Sequence, residues 1–335
     1  MGPTASQTLP PEARRQARRL RRRSNRLGIE ILRLWRRDAS DDLADSFAAM
    51  MPDLFQALDQ AQYDTAADAL ASTPTIMRLL DGTVPDPDYT TDPWQWVGVN
   101  GNGRNTLDTM WSAVTIGRRD IAAGTPTDTV LDRIGITLVM RSRTMLADTH
   151  RSASAVAARA RRPYARYVRC LTPPSCARCV ILAGKPSGAE AFQRHPNCDC
   201  TAVYTEHPES GMLTDPTGYL NGLDDEQLAR LLGRADARAY RDGADIYQLV
   251  NARRNGIRRA QIGDARIKYT LEGTTRRGAA SHRMISSGYA KDFVKRGGRC
   301  TRADRPRLMP ETIYERCANN PQKAKAMLYA YGWIR

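Results

Sequence analysis

Apolar side chains recur at helical spacing through the first 160 residues, which predicts a series of long amphipathic helices. The first helix is expected over residues 10–38, where apolar positions seven, four and three residues apart make one narrow stripe. That stripe consists of Leu20, Leu27, Ile31 and Leu34. A second helix is expected from about Asp41 with a kink at Pro52, and a third, alanine-rich helix over Tyr63–Leu80.

Prolines and glycines crowd residues 81–106, which predicts a loop. Trp94 and Trp96 are expected to anchor this loop to the core. Helical spacing resumes over residues 106–123 and 127–160. The part of the chain before residue 161 is therefore predicted to be helical.

The pattern changes at Pro163. Alternating and β-prone residues predict short strands at residues 164–171 and 201–204. Helical spacing returns over residues 224–255, so this middle part is expected to mix helices and strands.

Beyond residue 255 the pattern is mostly irregular, with one strand expected at Arg266–Leu271 and short helices beginning at Pro310 and Pro321. The fold class predicted from these elements is α+β, mainly α. It combines a helical N-terminal region, a small zinc-bearing α+β module and an irregular basic C-terminal region with short helices. The predicted domains are 1–160, 161–255 and 256–335.

The charge balance points to a polyanionic partner. Lys and Arg number 51 against 36 Asp and Glu, which gives a net charge of +15, and residues 1–38 alone hold eleven Arg against three acids. Such an excess predicts phosphate contact with nucleic acid, while a solvated helix face and docking on an acidic protein surface are the alternatives. A second basic zone comprises Arg276-Arg277, Lys295-Arg296 and residues 299–307. The arginines expected to contact nucleic acid are Arg14, Arg15, Arg18, Arg19, Arg21, Arg22, Arg23 and Arg26.

Hydropathy and cysteine usage narrow the class of protein. No run of eighteen apolar residues occurs, so no membrane partner is expected. The arginine-rich N-terminus lacks the apolar segment of a secretory signal, which favours a reducing cytosol. In that environment clustered cysteines more often bind metal or perform chemistry than form disulfides.

Five potential soft ligands fall within 25 residues, in the pattern Cys176-x2-Cys179-x15-His195-x2-Cys198-x-Cys200. Two residues between ligands let one tight turn present both thiolates to a single ion, and the loop of fifteen returns a second pair. Five candidates compete for four tetrahedral positions, so one of Cys198 and Cys200 is expected to be spare. Nitrogen and sulfur ligands favour zinc.

The same residues allow other interpretations. They fit buried, reduced cysteines beside a capped histidine. They also fit a nucleophile–base pair of His195 with Cys198 or Cys200, although such partners usually come from separate elements. A catalytic zinc with Glu190 as the base is a further alternative, but the sequence has no HExxH motif.

The segments Tyr167–Gly184 and Phe192–Cys200 resemble the core motif of the Mu-F-like minor head proteins of tailed bacteriophages. The resemblance is closest to the branch found in phages of actinobacteria. It covers roughly residues 140–335 in order, and the N-terminal helices match only in character. Further segments that resemble this branch are Arg241–Arg254, Glu272–Gly278, Arg307–Tyr314 and Tyr331–Ile334.

The resemblance implies a minor capsid (head) protein, present in a few copies and associated with the portal protein, other phage head proteins and packaged phage DNA. It implies a place in the virion, inside the capsid near the portal vertex, and in the host cytoplasm during assembly. A role in DNA packaging, retention or ejection would follow. More distant members keep the His-Pro-x-Cys-x-Cys end, which implies that His195, Cys198 and Cys200 form the shared core of the site.

Members of this branch often carry the label capsid maturation protease, so a protease acting on head proteins is the main alternative. A DNA-binding virion protein that is ejected with the genome is another. The sequence offers no supported Ser-His-Asp set: Ser281 and His282 are adjacent, and His150 and His207 have no evident partner. We therefore expect a non-enzymatic head protein in which zinc stabilises a small module.

Overall fold

The computed structural model shows a mainly helical protein with small antiparallel sheets, which confirms the predicted α+β, mainly α class. The chain divides into two compact units, residues 4–219 and residues 220–335. The predicted boundaries at residues 160 and 255 fall inside these units. The structure describes residues 9–161, 166–188, 190–208, 210–254, 256–262, 265–295, 298–318 and 320–334.

The first unit begins with long helices that share one apolar core. The four residues of the predicted stripe are all buried in this core, so the prediction of an amphipathic first helix is confirmed. Trp35 is buried beside them, and its indole N–H donates to the carbonyl oxygen of Leu131 at 2.9 Å. These helices are α1 (Pro11–Asp38), α2 (Leu43–Asp81), α3 (Thr106–Ala122) and α4 (Thr127–Arg159).

Helix α2 joins the predicted second and third helices, so the prediction of two separate helices was wrong. It begins where the Asp42 side chain accepts the backbone N–H groups of Ala44 and Asp45. Both Pro52 and Pro74 lie inside it. The helix continues because its alanine-rich middle is buried against the core and contains no glycine to end it.

The loop after α2 contains a short 3₁₀ turn, Pro93–Trp96. Trp94 is 61% exposed, and its ring lies 4.9 Å from the Tyr63 ring on the surface. The expectation that Trp94 anchors the loop to the core was therefore wrong. Trp96 is half-buried against a small alanine cluster, as an anchoring residue should be.

Two short strands, β1 (Tyr167–Cys170) and β2 (Thr201–Tyr204), pair antiparallel with Cys170 opposite Thr201. The predicted strands are thus confirmed, apart from residues 164 and 165, which lie outside the described residues. Val168 and Val203 pack with Ile76 of α2, so the strand pair shares a core with the helices. The unit also contains α5 (Ala177–Leu182) and a 3₁₀ turn, Ser210–Met212, and α6 (Pro216–Asn221) follows at its end.

The second unit alternates short helices and strands around its own core. The predicted helix over residues 224–255 is divided, because Gly233 and Gly243 adopt φ values of 86° and 103° that end a helix. Across the described residues, no helix is long and apolar enough to cross a membrane. The helices are α7 (Asp225–Leu232), α8 (Arg234–Arg241), α9 (Ile246–Arg254), α10 (Ala279–Ser286), α11 (Pro310–Cys317) and α12 (Pro321–Ala330). The strands are β3 (Arg258–Ile262), β4 (Ala265–Thr270), β5 (Phe293–Val294), β6 (Arg302–Ala303) and β7 (Arg307–Leu308).

The C-terminal region is better ordered than the predicted irregular arm. Strands β3, β4 and β7 form an antiparallel sheet, and β5 pairs with β6. Trp333 is fully buried, and the Arg307 guanidinium lies 3.6 Å from the centre of its ring. Arg307 also donates to the backbone carbonyls of Tyr331 and Gly332, and its burial lowers its pKa to about 9. Arg307 therefore belongs to the core and not to a basic surface.

Candidate metal centre

The first ligand pair is set by the start of α5. Cys176 is the N-cap residue of this helix, and its Sγ accepts the backbone N–H of Cys179 at 3.4 Å. Because the N-cap residue and the third helical residue face the same end of a helix, both sulfurs lie together. The two-residue spacing between Cys176 and Cys179 therefore places both sulfurs on one turn, as the sequence predicts.

The second group of ligands lies on the segment that leads into β2. A tight turn joins His195 to Cys198, whose backbone N–H donates to the His195 carbonyl at 3.1 Å. Asn197 within this turn has φ of 61°, a left-handed conformation that asparagine tolerates. Since β1 and β2 are paired, this segment returns to the start of α5.

The two groups meet at a common point. Nε2 of His195 lies 2.9 Å from Sγ of Cys176 and 3.8 Å from Sγ of Cys179. Sγ of Cys179 lies 3.4 Å from Sγ of Cys198. Ligands of one tetrahedral zinc are separated by about 3.8 Å, so these distances suit a shared ion. The cysteine–histidine cluster can therefore hold a metal ion.

Cys179 is the centre of the cluster. It groups with Cys176 and His195 on one side and with Cys198 and Cys200 on the other, and within each group the ligand atoms lie within 4.8 Å of one another. The structure thus brings all five predicted ligands together. The other cysteines belong to neither ligand group: Cys170 and Cys317 are buried, and Cys300 is exposed.

The imidazole of His195 is oriented for metal binding. Its Nδ1–H donates to the Pro196 carbonyl oxygen at 2.7 Å, and this hydrogen bond fixes the tautomer. Nε2 then carries the lone pair and faces the sulfurs of Cys176 and Cys179. Such a backbone hydrogen bond to the second ring nitrogen is usual for metal-bound histidines.

The electrostatics of the cluster favour thiolates at Cys176 and Cys198, whereas the hydrogen bonds with these two residues raise the pKa of Cys179. Hydrogen bonds with Cys179 and His195 lower the pKa of Cys176 to about 4. Hydrogen bonds with Cys179 and Cys200 also lower the pKa of Cys198. The contact with Cys176 raises the pKa of His195 to about 9, so a metal ion must displace a proton there. Thiolates are the form of cysteine that binds metal.

Arg169 on β1 is a buried neighbour of the sulfurs. Its Nη1 lies 3.7 Å from Sγ of Cys179 and 3.9 Å from Sγ of Cys198, and only 4% of the residue is exposed. Its Nη2 donates to the Gln193 carbonyl at 2.6 Å, and its guanidinium lies 3.7 Å from the ring centre of Phe192. Arg169 thus contacts one sulfur from each ligand segment and also the backbone just before His195.

Arg151 on α4 holds the backbone of the second ligand segment. Its guanidinium donates to the carbonyl oxygens of Cys198 and Cys200 and pairs with Asp148 at 3.1 Å. Arg194 also pairs with Asp148, and burial still raises the pKa of that carboxyl. Arg169, Arg151 and Asp148 could not be identified from the sequence, because no local spacing marks residues that act through the pairing of distant segments.

A cavity of about 220 Å³ adjoins the cluster between α1 and α4. Arg21 and Arg143 line it together with several ligands. Arg21 lies 3.5 Å from the Asp199 carboxylate and donates to the Pro173 carbonyl. This arginine, predicted to contact nucleic acid, instead joins α1 to the metal-binding loops.

The eight predicted arginines of α1 separate into two sets. Four are exposed, and within the described residues Arg18, Arg22 and Arg26 form no ion pair. We call Arg15, Arg18, Arg22 and Arg26 the basic stripe, because their spacing places them along one face of the helix. The other set is half-buried, and its members contact protein groups. Arg14 donates to Leu9, Arg19 pairs with Glu12 and Asp68, Arg21 contacts Asp199, and Arg23 reaches Thr65 at 3.5 Å.

The serine and histidines considered for hydrolytic chemistry are not arranged as a catalytic pair in the structure. The Ser281 hydroxyl donates to the carbonyls of Thr275 and Gly278, and His282 Nε2–H donates to the Arg276 carbonyl at 2.7 Å. Ser281 and His282 therefore do not bond to each other. His150 is fully buried, and neither of its ring nitrogens bonds to a described residue.

Comparison of the chain with protein-family models, with curated proteins and with solved structures found no match. The function must therefore be inferred from the sequence and structure of this protein. Three features carry that information: the cysteine–histidine cluster, its two arginine neighbours, and the basic surfaces of each unit.

Proposed function

We propose that this protein is a minor head protein of a tailed bacteriophage, in which a structural zinc site supports a DNA-associated helical unit. The observation that carries the proposal is the meeting of Cys176, Cys179, His195 and the Cys198–Cys200 pair at one point. These residues lie in the segments Tyr167–Gly184 and Phe192–Cys200, which resemble the core motif of the Mu-F-like head proteins. Zinc is the proposed ion because thiolate and imidazole ligands select it.

A structural role suits this cluster better than catalysis. The sulfurs of Cys179, Cys198 and Cys200 are buried, and Arg169 covers two of them. The strand pair beside the cluster has only four residues in each strand, and such a pair is marginal without further support. A structural zinc site contributes roughly 10–16 kcal/mol of apparent binding free energy, which stabilises the loops that hold it.

The basic stripe supports the association with packaged DNA. Its arginines face solvent, and arginine binds phosphates without reading bases. The proposed location is inside the capsid near the portal vertex, with the portal protein and other head proteins as partners. Binding through the stripe should weaken steeply as the salt concentration rises.

Metal analysis of the purified protein tests the site. Stoichiometric zinc is expected in the wild-type chain and in Cys300→Ser, whose cysteine is exposed and outside the cluster. Cys179→Ser should lose zinc and folding stability together. Cys198→Ser should lose more zinc than Cys200→Ser, because Cys198 contacts Cys179 and Arg169 directly. A folded, zinc-free wild-type protein would disprove the proposed site.

Phage particles test the function. The chain should be found in purified particles of the phage that encodes it, and Cys179→Ser should reduce its incorporation while the major head protein is processed normally. If Cys179→Ser or His195→Ala left the protein folded and incorporated but blocked head-protein processing, a protease would be the correct assignment. Absence of the chain from the particles would rule out a virion component.

A further inference from the structure

The second unit contains a groove of about 610 Å³ that the proposed function does not use. Strands β3 and β4 form one side of it, where Arg258 lies opposite Tyr269 and Ala260 lies opposite Ile267. Directly paired residues project from the same face of an antiparallel sheet. The hairpin of β5 and β6 and the residues that follow it, including Arg305, form the other side.

The groove combines an apolar floor with a basic rim. Ile267 and Ala303 are buried in the core below it, and Tyr269 is half-buried at its surface. The rim arginines Arg258, Arg299 and Arg305 are exposed. None of these three forms an ion pair with any residue in the described part of the chain.

Acidic residues contribute little negative charge to the lining of the groove. Asp304 is the acidic residue that lines it, and its carboxylate accepts the backbone N–H of Lys291 at 2.9 Å. That hydrogen bond is the main cause that lowers the pKa of Asp304. In the sequence, residues 256–308 hold fourteen Lys and Arg against four Asp and Glu. A concave surface with this excess of one sign concentrates its electrostatic potential in the groove.

We infer that this groove binds single-stranded nucleic acid. Arg258, Arg299 and Arg305 would contact consecutive phosphates, and a base would stack on the exposed part of the Tyr269 ring. Arginine forks suit phosphate, and an aromatic ring in a basic channel provides the stacking surface that unpaired bases need. A duplex hides the faces of its bases, so it cannot use Tyr269.

An acidic peptide is the other polyanion to consider. It would satisfy the arginines but would gain little from the apolar floor and the Tyr269 ring. The inference uses only residues of the second unit, so it does not depend on the zinc site or on the basic stripe. Its outcome and that of the proposed function can therefore be separated.

The test is fluorescence anisotropy of the full-length protein with a labelled oligothymidine of about ten nucleotides, across a salt series. Two matched variants each remove three exposed arginines. The groove variant carries Arg258→Gln, Arg299→Gln and Arg305→Gln, and the control carries Arg104→Gln, Arg118→Gln and Arg119→Gln, three exposed arginines of the first unit outside the basic stripe. Thermal melting checks that both variants remain folded.

The groove variant should bind the oligonucleotide more weakly and reduce the slope of log K against log salt by about 2, since each phosphate contact on a single strand contributes about 0.7. The control variant should keep most of the affinity. Tyr269→Leu should weaken binding by about tenfold with little change in the salt slope, because it removes stacking and no charge.

Three results would overturn the inference. The first is equal loss of binding in the groove and control variants, which would indicate non-specific charge. The second is equal competition by a duplex of the same length or by a poly-glutamate peptide, since neither presents free bases. The third is a wild-type affinity that Tyr269→Leu leaves unchanged.

Discussion

At the scale of single residues, Arg169 provides a counter-charge beside the candidate metal centre. A zinc ion with three thiolates and one neutral imidazole carries a net charge of about −1. A buried negative charge needs a nearby counter-charge and hydrogen-bond donors. Arg169 supplies both, since its Nη1 lies within 3.9 Å of the sulfurs of Cys179 and Cys198.

Replacing Arg169 with methionine should lower the zinc affinity by about 10–100-fold, the range typical for loss of an outer-sphere partner of a metal site. Competition with a chromophoric chelator measures this affinity. Arg166→Met is the control, because Arg166 is exposed and lies just before the same strand. Equal affinities in the two variants would show that Arg169 does not stabilise the metal-bound state.

His150 makes the stability of the first unit depend on pH. The ring is fully buried, and desolvation is the main cause that lowers its pKa to about 3. In an unfolded chain the pKa of histidine is about 6.5, so between these values the unfolded chain binds a proton that the folded chain does not. Folding stability therefore falls as the pH decreases below 6.5, by up to about 1.4 kcal/mol per pH unit.

The variant His150→Met should remove this dependence. The difference in melting temperature between variant and wild type should move in favour of the variant when the pH falls from about 7.5 to about 5.5. Taking the difference cancels the effect of acid on the metal ligands, which both proteins share. His207→Met, at an exposed position, is the control, and a flat difference for His150→Met would contradict the role given to the buried ring.

Residues of the candidate site can be predicted from the sequence when they lie close together along the chain. The five ligands could be identified because their spacing is short and their chemistry is distinctive. Arg169 and Arg151 could not, because they reach the site through the pairing of β1 with β2 and through the packing of α4. Of the arginines on α1, charge alone could not separate the stripe from Arg19 or Arg21.

At the scale of elements, the packing of α1 on α4 depends on a glycine. A Cβ at Gly135 would lie 2.9 Å from Cδ1 of Trp35 and 3.1 Å from Cδ1 of Leu32. Real side chains do not approach so closely without a shift in one of the helices. The glycine, which the sequence pattern marks only as an unfavourable interruption of α4, permits this contact.

Gly135→Ala should therefore destabilise the protein despite the better helix propensity of alanine. A gain of about 1 kcal/mol in propensity is opposed by about 1–3 kcal/mol of overpacking against Trp35. Ile136→Ala is the control, because Ile136 is exposed on the same helix. Chemical denaturation measures both, and a more stable Gly135→Ala protein would contradict the proposed close approach.

Helix ends were predicted more accurately than helix continuity and short strands. Proline and glycine signals placed the starts of α11 and α12 and the end near Gly332, whose φ is 70°. The continuous helix α2 was not predicted, because near Tyr63 its stripe of large apolar residues gives way to an alanine-rich stretch that resembles a separate helix. Strands β5, β6 and β7 have two residues each, too few for an alternating pattern to show.

At the scale of the whole molecule, the two units have separate cores. The first contains the cysteine–histidine cluster and the long helices, and the second contains Trp333, Met309 and Ile313. The high charge and scattered apolar residues of the C-terminal region predicted an irregular arm. Its core forms from residues distant in sequence, such as Leu249 and Leu328, which no periodic pattern connects.

Removal of the proposed zinc ion by a chelator should therefore affect the two units differently. Hydrogen exchange measured by mass spectrometry should show lost protection over residues 166–204 after treatment with a chelator. Protection over residues 265–334 should persist, because the core of the second unit contains none of the ligands. Loss of protection in both segments at the same chelator concentration would show that the units do not respond independently.

The way α1 is held has a mechanical consequence. Its 28 residues extend for about 40 Å. One side offers the basic stripe, while buried side chains along the other side, from Ala13 to Trp35, and the Arg21 contacts fasten it to the bundle and the metal-binding loops. If a polymer bound to the stripe were pulled along the helix axis, the force would be distributed over the many buried side-chain contacts of α1. A helix attached along its whole length resists such a force better than a helix attached at one end, whose contacts would break one turn after another.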